Sequence, residues 1–141
     1  MATKENIGIE TLVKDADPAA QELFIVLCAS GFENVERVRS ALMFAALAAS
    51  ANYRTILYCI QSAVDVMIKG MIEQNETPRP GLPTISQRLH EAMEMGVEIQ
   101  CCTQTMANKK VSEQDLIPGV KAAGAMNLIS LASKAKGTLS F

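Results

Sequence analysis

Four cysteines carry most of the chemistry that this sequence offers, and two of them are adjacent. Cys101 and Cys102 close the segment VEIQCC, whereas Cys28 and Cys59 lie at or beside the ends of two other apolar runs. A cysteine is nucleophilic only as the thiolate, so a reactive cysteine needs a lowered pKa and an approach path. Adjacent cysteines form a strained disulfide, and we expect all four to be reduced thiols. The candidate chemistry is therefore that of a free thiol.

Strand periodicity separates the two adjacent cysteines. In a strand over residues 97–102, alternate side chains point to opposite faces. Cys102 then shares a face with Glu98 and Gln100, and Cys101 falls on the apolar face. We expect the face with Glu98 and Gln100 to be the more solvent-exposed of the two. The residues after Cys102 begin a helix, whose free amides and dipole favour a thiolate. We predict that Cys102 is the accessible, reactive thiol and that Cys101 is packed.

Other kinds of functional site lack the residues that they need. The chain has no Cys-x-x-Cys pair and its single histidine is His90, so we expect no metal site. Ser30 and Gly31 follow an apolar run, but they lack the further glycines of a phosphate-binding loop. A net charge of −2 gives no basic surface for nucleic acid. We therefore expect no cofactor, no metal and no nucleic-acid partner.

Five strands separated by helices must position the cysteines. Apolar or β-branched runs predict strands over residues 23–28, 53–60, 97–102, 120–123 and 138–141. Capping residues predict where helices or helical turns begin: Asn34, Ser62 with Asp65, Thr84 with Gln87, and Ser112 with Asp115. The helix that follows the second strand should end at Lys69. Parallel strands joined by right-handed helical crossovers predict a doubly wound α/β fold, with a mostly parallel five-stranded sheet and helices on both faces.

The strand order decides where a functional site would lie. In open sheets of this kind, ligands bind beyond the carboxyl ends of the strands, at the point where the strand order reverses. A flavodoxin-like order, which we expect here, brings the ends of the first and third strands to that crevice. Those ends are Cys28 and Cys102. The fold argument alone therefore brings cysteines to the expected site.

The chain fits one domain. Its 141 residues are enough for one continuous core, and we place this domain at residues 22–141, after a polar and flexible leader at residues 1–21. The proline-rich segment 74–83 cannot be regular structure and is typical of a lid or an interface segment. We find no secretory signal at residues 1–8 and no apolar run of the roughly 20 residues that a membrane helix needs. We expect a cytoplasmic protein with no membrane partner.

Three stretches carry a family resemblance: GVEIQCCTQTM at residues 96–106, VSEQDLIPGV at 111–120 and AMNLI at 125–129, with support from residues 41–49 and 64–70. With these stretches the chain resembles the DsrE/DsrF-like family of small sulfur-relay proteins. In some subgroups of that family the sulfur-carrying cysteine stands four residues before a methionine, just after a strand. Cys102 and Met106 reproduce this spacing. Gln104 and Lys109–Lys110 replace residues that these subgroups often have, so the subgroup stays open.

The resemblance, which spans about residues 22–141, implies a sulfur carrier or sulfurtransferase. Cys102 would hold sulfane sulfur as a persulfide or thiosulfonate and pass it to a partner protein thiol, such as that of a TusA-type carrier. No cofactor is implied, and similar proteins assemble as trimers or hexamers, so we expect a homo-oligomer. Cys101 is additional to the family pattern and is a resolving thiol, an alternative carrier or a structural residue.

A second hypothesis is a non-catalytic oligomeric binding or assembly module with the same fold. It predicts unreactive cysteines and contacts through the surface that is rich in methionine and proline. A third hypothesis, a flavodoxin-like mononucleotide binder, lacks the loop that it requires. The sulfur-carrier hypothesis demands that the Cys102 side chain is reachable from solvent.

Overall fold

A five-stranded parallel sheet runs through residues 21–141, which are the part of the chain that this computed structural model describes. The strands are β1 (Leu23–Cys28), β2 (Arg54–Cys59), β3 (Glu98–Cys102), β4 (Lys121–Ala123) and β5 (Gly137–Ser140). Each pair of neighbouring strands is parallel. The predicted α/β class, the five strands and their parallel pairing are confirmed. The predicted leader lies outside the described residues, apart from Gln21.

Six α-helices connect the strands of the described residues. They are α1 (Val35–Ser50), α2 (Ser62–Val66), α3 (Met71–Asn75), α4 (Ile85–Glu94), α5 (Thr103–Lys109) and α6 (Ala125–Ala132). The predicted caps at Asn34, at Thr84 with Gln87 and at Ser112 with Asp115 are confirmed. The irregular segment predicted to begin at residue 74 begins at residue 76, because α3 extends to Asn75. Within residues 21–141, no helix has both the length and the apolar composition needed to cross a bilayer.

The helix after β2 is shorter than predicted. A capping pair of Ser62 and Asp65 and a helix to Lys69 were expected, but α2 ends at Val66 and has no side-chain cap. The Asp65 carboxylate instead pairs with the Lys109 ammonium group of α5, 3.1 Å away. The prediction was wrong because a local capping pattern does not show an ionic partner that lies 44 residues further along the chain.

The strand order is β4-β3-β2-β1-β5, so the flavodoxin-like order is wrong. In a flavodoxin-like sheet the order is 2-1-3-4-5. Here β2, β3 and β4 are each added beside the preceding strand, and only β5 crosses to the free edge of β1. The order therefore reverses between β1 and β5, and β2 separates the two strands that were expected to flank the crevice. Sequence periodicity predicts strands and helices, but it does not predict which strands become neighbours.

The two faces of the sheet are covered unequally. Helices α1 to α5 contribute to the larger buried cluster, with strand residues such as Leu57 and Ile99. The smaller cluster lies on the opposite face and consists of Ile25, Ile56, Tyr58 and Cys102. Leu128 and Leu131 of α6 pack against it. Helices on both faces are thus confirmed, but one of the two faces has a single helix of eight residues as its cover.

Candidate functional site

Three of the four cysteines form a row inside the core. Cys28, Cys59 and Cys101 are register partners across β1, β2 and β3 and belong to the larger buried cluster. None of them is more than 3% exposed. Burial raises the pKa of Cys28 to about 11, and a hydrogen bond with Cys101, together with burial, raises the pKa of Cys59 well above its ordinary value. Thiols with raised pKa values are poor nucleophiles near neutral pH, so Cys28 and Cys59 are packing residues.

Cys102 lies on the opposite face of the sheet from Cys101, as strand periodicity predicted. Its side chain is only 6% exposed, so the thiol expected to be accessible is buried, although it is the least buried of the four. The face that carries Cys102 is exposed to solvent at the amino end of the strands, where Arg54 and Glu98 form a partly exposed ion pair at 2.8 Å. At the carboxyl end, Tyr58 and α6 cover the sheet. Strand periodicity gives the face of a side chain, but not what packs on that face.

The surroundings of the Cys102 sulfur favour the thiolate. Cys102 is the cap residue of α5, so the free amides of the first helical turn lie next to it in the chain. Burial raises the pKa of Cys102, but the polar groups beside the sulfur, which are the amides of Thr105 and Gln104 and the hydroxyls of Tyr58 and Thr105, together outweigh burial. The pKa of Cys102 is therefore below its ordinary value. Cys102 has the electrostatic surroundings of a nucleophile.

Tyr58 is the site residue that the sequence did not reveal. It is the register partner of Gln100 on β3, and its Oη donates a hydrogen bond to the carbonyl of Ala123 on β4 at 2.9 Å. Because Ala123 is the register partner of Cys102, the tyrosine side chain crosses β3 beside the Cys102 sulfur to reach this carbonyl. Burial and a hydrogen bond with Cys102 raise the pKa of Tyr58 well above its ordinary value, so the hydroxyl keeps its proton. The role of Tyr58 at this site could have been predicted only from the adjacency of β2, β3 and β4 in the sheet.

A strained residue at the end of β2 supports Thr105. Gln61 has a φ of 51° and a ψ of −127°, a backbone conformation that favours glycine. Its amide donates a hydrogen bond to Thr105 Oγ1 at 3.2 Å. Since the hydroxyl accepts this bond, its own proton is free to be donated to Cys102. The Gln61 amide therefore helps to orient the Thr105 hydroxyl, and no pattern in the sequence indicates this link.

A polar group is buried near Cys102. Oε1 of Gln100, two residues before Cys102 on the same face, is buried and has no hydrogen-bond partner in the protein. A buried acceptor without a partner destabilises the fold.

The sulfur lies under a cover and not on the floor of a pocket. Five cavities of the described part of the chain, the largest of about 370 Å³ beside Arg39 and Glu76, do not have Cys102 in their walls. Among residues 21–141, no three His, Cys, Asp or Glu side chains are placed to hold a metal ion together.

Known structures share this fold. The YchN protein of Escherichia coli aligns with a TM-score of 0.68 at 22% sequence identity, covering 86% of this chain and 99% of that one. A protein of unknown function from Methanobacterium thermoautotrophicum aligns with a TM-score of 0.61 at 14% identity, covering 86% and 99%. A conserved protein of unknown function from Bacteroides thetaiotaomicron aligns with a TM-score of 0.59 at 15% sequence identity, covering 89% of this chain and 99% of that one. At these identities the similarity shows the fold alone.

Sequence comparison identifies the family of this chain. An uncharacterised protein of Methanocaldococcus jannaschii is 27% identical over 118 residues, which are 84% of this chain and 98% of that protein. The sequence model of the DsrE/DsrF-like family matches residues 22–141, which is nearly the whole of the described structure. With the parallel sheet and the cysteine at the end of β3, this match shows that the chain belongs to the DsrE/DsrF-like family.

Proposed function

We propose that this protein carries sulfane sulfur on Cys102 as a persulfide and passes it to a thiol of a partner protein. The observation that carries the proposal is the set of hydrogen-bond donors at the Cys102 sulfur, which lowers its pKa despite its burial. Membership of the DsrE/DsrF-like family supports a sulfur-relay role in general. Cysteine persulfide chemistry needs neither a metal nor an organic cofactor, only a thiolate and an approaching sulfur atom.

The two transfers balance without an outside oxidant or reductant. The Cys102 thiolate attacks the outer sulfur of a donor persulfide, a bond forms between Sγ and that sulfur, and the donor leaves as a thiolate when its own S–S bond breaks. The acceptor thiolate then attacks the same outer sulfur and releases the Cys102 thiolate. The donors around Sγ stabilise Cys102 both as the nucleophile of the first step and as the leaving group of the second.

Cys101 is assigned a packing role in this proposal. Its side chain is 0% exposed, and it lies on the other face of the sheet, where it is the register partner of Cys59. A disulfide between Cys101 and Cys102 would join side chains that point apart, which requires movement of the backbone. We therefore assign sulfur carriage to Cys102 alone, and neither a resolving role nor an alternative carrier role to Cys101.

Access to Cys102 requires its cover to move. The cover consists of Tyr58 and of the chain that follows Ala123, where α6 begins. This cover shields a persulfide from stray thiols between transfers. Met126, the second residue of α6, is 77% exposed and stands three residues beyond the register partner of Cys102. We place the docking surface of a TusA-type acceptor there, and we propose a cytoplasmic homo-oligomer, trimeric or hexameric, as the working form.

Intact-mass measurement after incubation with polysulfide tests sulfur carriage. The wild type should gain sulfur that reductant removes, and Cys102→Ser should gain none. Cys101→Ser and Cys28→Ser are the matched controls and should both still gain it. The proposal fails if the wild type takes up no sulfur, or if the adduct survives in Cys102→Ser.

The exposure of Cys102, only 6%, favours the second hypothesis, a non-catalytic oligomeric module. The two functions differ in the alkylation rate of the native protein near neutral pH. A sulfur carrier should be labelled at Cys102 first and at Cys28 and Cys59 only slowly, because the pKa values of the latter two are raised. Labelling of Cys102 as slow as that of Cys28, with fast labelling after denaturation, supports the module.

A further inference from the structure

The Tyr58 hydroxyl has one proton and two acceptors within reach. It donates this proton to the Ala123 carbonyl at 2.9 Å, and Cys102, the register partner of Ala123, lies in the same buried cluster as Tyr58. A hydroxyl can accept one hydrogen bond while it donates another. A protonated Cys102 can therefore donate its S–H to Tyr58 Oη while Tyr58 donates to Ala123. An ionised Cys102 has no proton to donate and can only accept.

We propose that Tyr58 is a positioning residue that moves its hydrogen bond from Ala123 to Cys102 when this thiol loses its proton, and that the move loosens the cover above the sulfur. The inference rests on the proposed function, because it supplies the motion that gives a buried Cys102 access to its partners. Only hydrogen bonds change, and the proton that leaves Cys102 goes to solvent.

The segment that Tyr58 holds is the weakest part of the sheet. Strand β4 has three residues, lies at an edge, and pairs with β3 over three positions. The hydrogen bond of Tyr58 ties its last residue, Ala123, to β2 across the intervening strand. A second contact is made by the Glu113 carboxylate, which accepts from the Ala122 amide at 2.7 Å. When Tyr58 turns to the sulfur, the Ala123 carbonyl needs water as its new partner, so opening and hydration occur together.

Few other groups near Cys102 can produce such a response to pH. The titratable or charged side chains on the surrounding strands and on α5 are Cys28, Arg54, Cys59, Glu98, Cys101, Lys109 and Lys121. Arg54 and Glu98 pair with each other, and Lys109 pairs with Asp65. The three cysteines face the other side of the sheet, Lys121 begins β4 and is exposed, and α6 has no charged residue.

The first test is the ionisation midpoint of Cys102 in Tyr58→Phe, followed by the ultraviolet absorbance of the thiolate with Cys102→Ser as the blank. A hydrogen bond to a charged group typically shifts a pKa by about one unit or more. One pH unit below the wild-type midpoint, the thiolate fraction should therefore fall about tenfold. Tyr53→Phe is the matched control, because the Tyr53 ring packs on Phe24 at 5.5 Å and has no role at the sulfur. A Tyr58→Phe midpoint equal to that of the wild type overturns the proposal.

The second test is hydrogen exchange of residues 121–128, measured on both sides of the Cys102 midpoint and corrected for the intrinsic effect of pH. The wild type should exchange faster above the midpoint than below it. Cys102→Ser should stay slow at both pH values and Tyr58→Phe fast at both. A rise above the midpoint that persists in Cys102→Ser, or no rise in the wild type, overturns the proposal.

A third variant keeps the proposal testable should Tyr58→Phe not fold. The chain has two tyrosines, so Tyr53→Phe leaves Tyr58 as the single tyrosine. Uniform labelling of that variant with 3-fluorotyrosine then makes only the Tyr58 hydroxyl more acidic and a stronger donor. The Cys102 midpoint should fall, in the direction opposite to that of Tyr58→Phe, and an unchanged midpoint counts against the proposal.

The outcome for Tyr58 is separate from the outcome for sulfur carriage. The wild type could take up no sulfur and still show a pH response that depends on Tyr58. That outcome rejects the proposed function and supports the hydrogen-bond exchange. If Cys102 takes up sulfur but substitution of Tyr58 has no effect on the pH response, the proposed function is supported and the hydrogen-bond exchange is rejected.

Discussion

Among single residues, the environment of the sulfur atom separates Cys102 from the core thiols Cys28 and Cys59. All three are less than 10% exposed, so burial alone does not distinguish them. Two amides and two hydroxyls surround the Cys102 sulfur, whereas Cys59 has another thiol as its partner. Donors that bind a thiolate lower its pKa, and a thiol partner in an apolar core does not. The neighbours of the sulfur atom, and not its exposure, therefore distinguish Cys102 from the two core thiols.

Thr105 offers the most direct test of this view, because its hydroxyl and its amide both lower the pKa of Cys102. Thr105→Val removes the hydroxyl and nearly keeps the shape of the side chain, so the pKa of Cys102 should rise by about one unit. Thr105→Ser should restore the wild-type midpoint. Thr103→Val, in the same turn of α5, is the control. Alkylation rates as a function of pH measure the effect, and an unchanged profile in Thr105→Val contradicts it.

The same substitution has a signature in stability. The pKa of Cys102 is lower in the folded than in the unfolded protein, so its stabilising contribution is present above the unfolded value, near 8.5, and is lost as the pH falls through the folded value. Thr105→Val should therefore cost more stability at a pH above 8.5 than at a pH below the folded value, by about 1.4 kcal/mol for one unit. Urea unfolding at the two pH values measures this difference.

At the level of secondary structure, the end of β2 does more for the site than its sequence suggests. Tyr58 and Gln61 lie within four residues, and both act on the surroundings of Cys102. The sequence correctly predicted a strand there, but neither role, because both depend on β2 lying beside β3. The helix start after Cys102 and the opposite faces of Cys101 and Cys102 are local features, and those predictions were correct. What local patterns could not predict was the strand order and the cover over the thiol.

The conformation of Gln61 predicts a stabilising substitution. Gln61→Gly removes a side chain from a backbone conformation with a φ of 51°, and the relief of strain should raise the free energy of unfolding by about 1 kcal/mol. The Cys102 midpoint should not change, because glycine keeps the direction of the amide. Gln74→Gly in α3 is the matched control and should lose about 1 kcal/mol. Urea unfolding measures both, and a destabilised Gln61→Gly shows that the conformation is not strained.

Gly31 predicts a substitution with the opposite effect. A Cβ at this position would overlap the Ser62 carbonyl, since the loop after β1 packs directly on the start of α2. Gly31→Ala should therefore lower the free energy of unfolding by about 2 kcal/mol. Gly124→Ala is the control, because its φ is −76° and its nearest neighbour, Thr103 Oγ1, would lie 3.9 Å from the new Cβ. It should cost less than about 1 kcal/mol, and equal losses in the two variants would contradict the overlap.

For the whole molecule, the feature that bears on the proposed function is the unequal covering of the two faces of the sheet by helices. Five helices stabilise one face, while the reactive side has α6 alone, with Met126 and Ile129 exposed on it at 77% and 59%. A thin layer can open without unfolding the large core, because the two clusters lie on opposite sides of the sheet. The molecule thus has a large core on one face of the sheet and a thin cover on the other.

This division predicts that Met126 matters for transfer to a protein but not to a small thiol. Met126→Ser should slow sulfur transfer to a TusA-type acceptor about tenfold, the effect of losing one buried apolar contact. Transfer to a small thiol should not change. Leu47→Ser, at a side chain of α1 that is 53% exposed on the other side of the sheet, is the control. Sedimentation of each variant checks that the oligomer is intact, and equal slowing with both acceptors contradicts a docking role.

The position of Cys101 and Cys102 on opposite faces means that the spacing of the chain, and not only its composition, selects the reactive atom. The turn between α4 and β3 contains Gly96, whose φ of 90° fixes where the strand begins. A slip of one residue in this strand would exchange the two faces. The neighbouring cysteine would then stand beneath Tyr58, and Glu98 and Gln100 would enter the apolar core. Deletion or insertion of one residue in this turn would thus remove the proposed sulfur-carrying thiol from its surroundings, with both cysteines still present in the sequence.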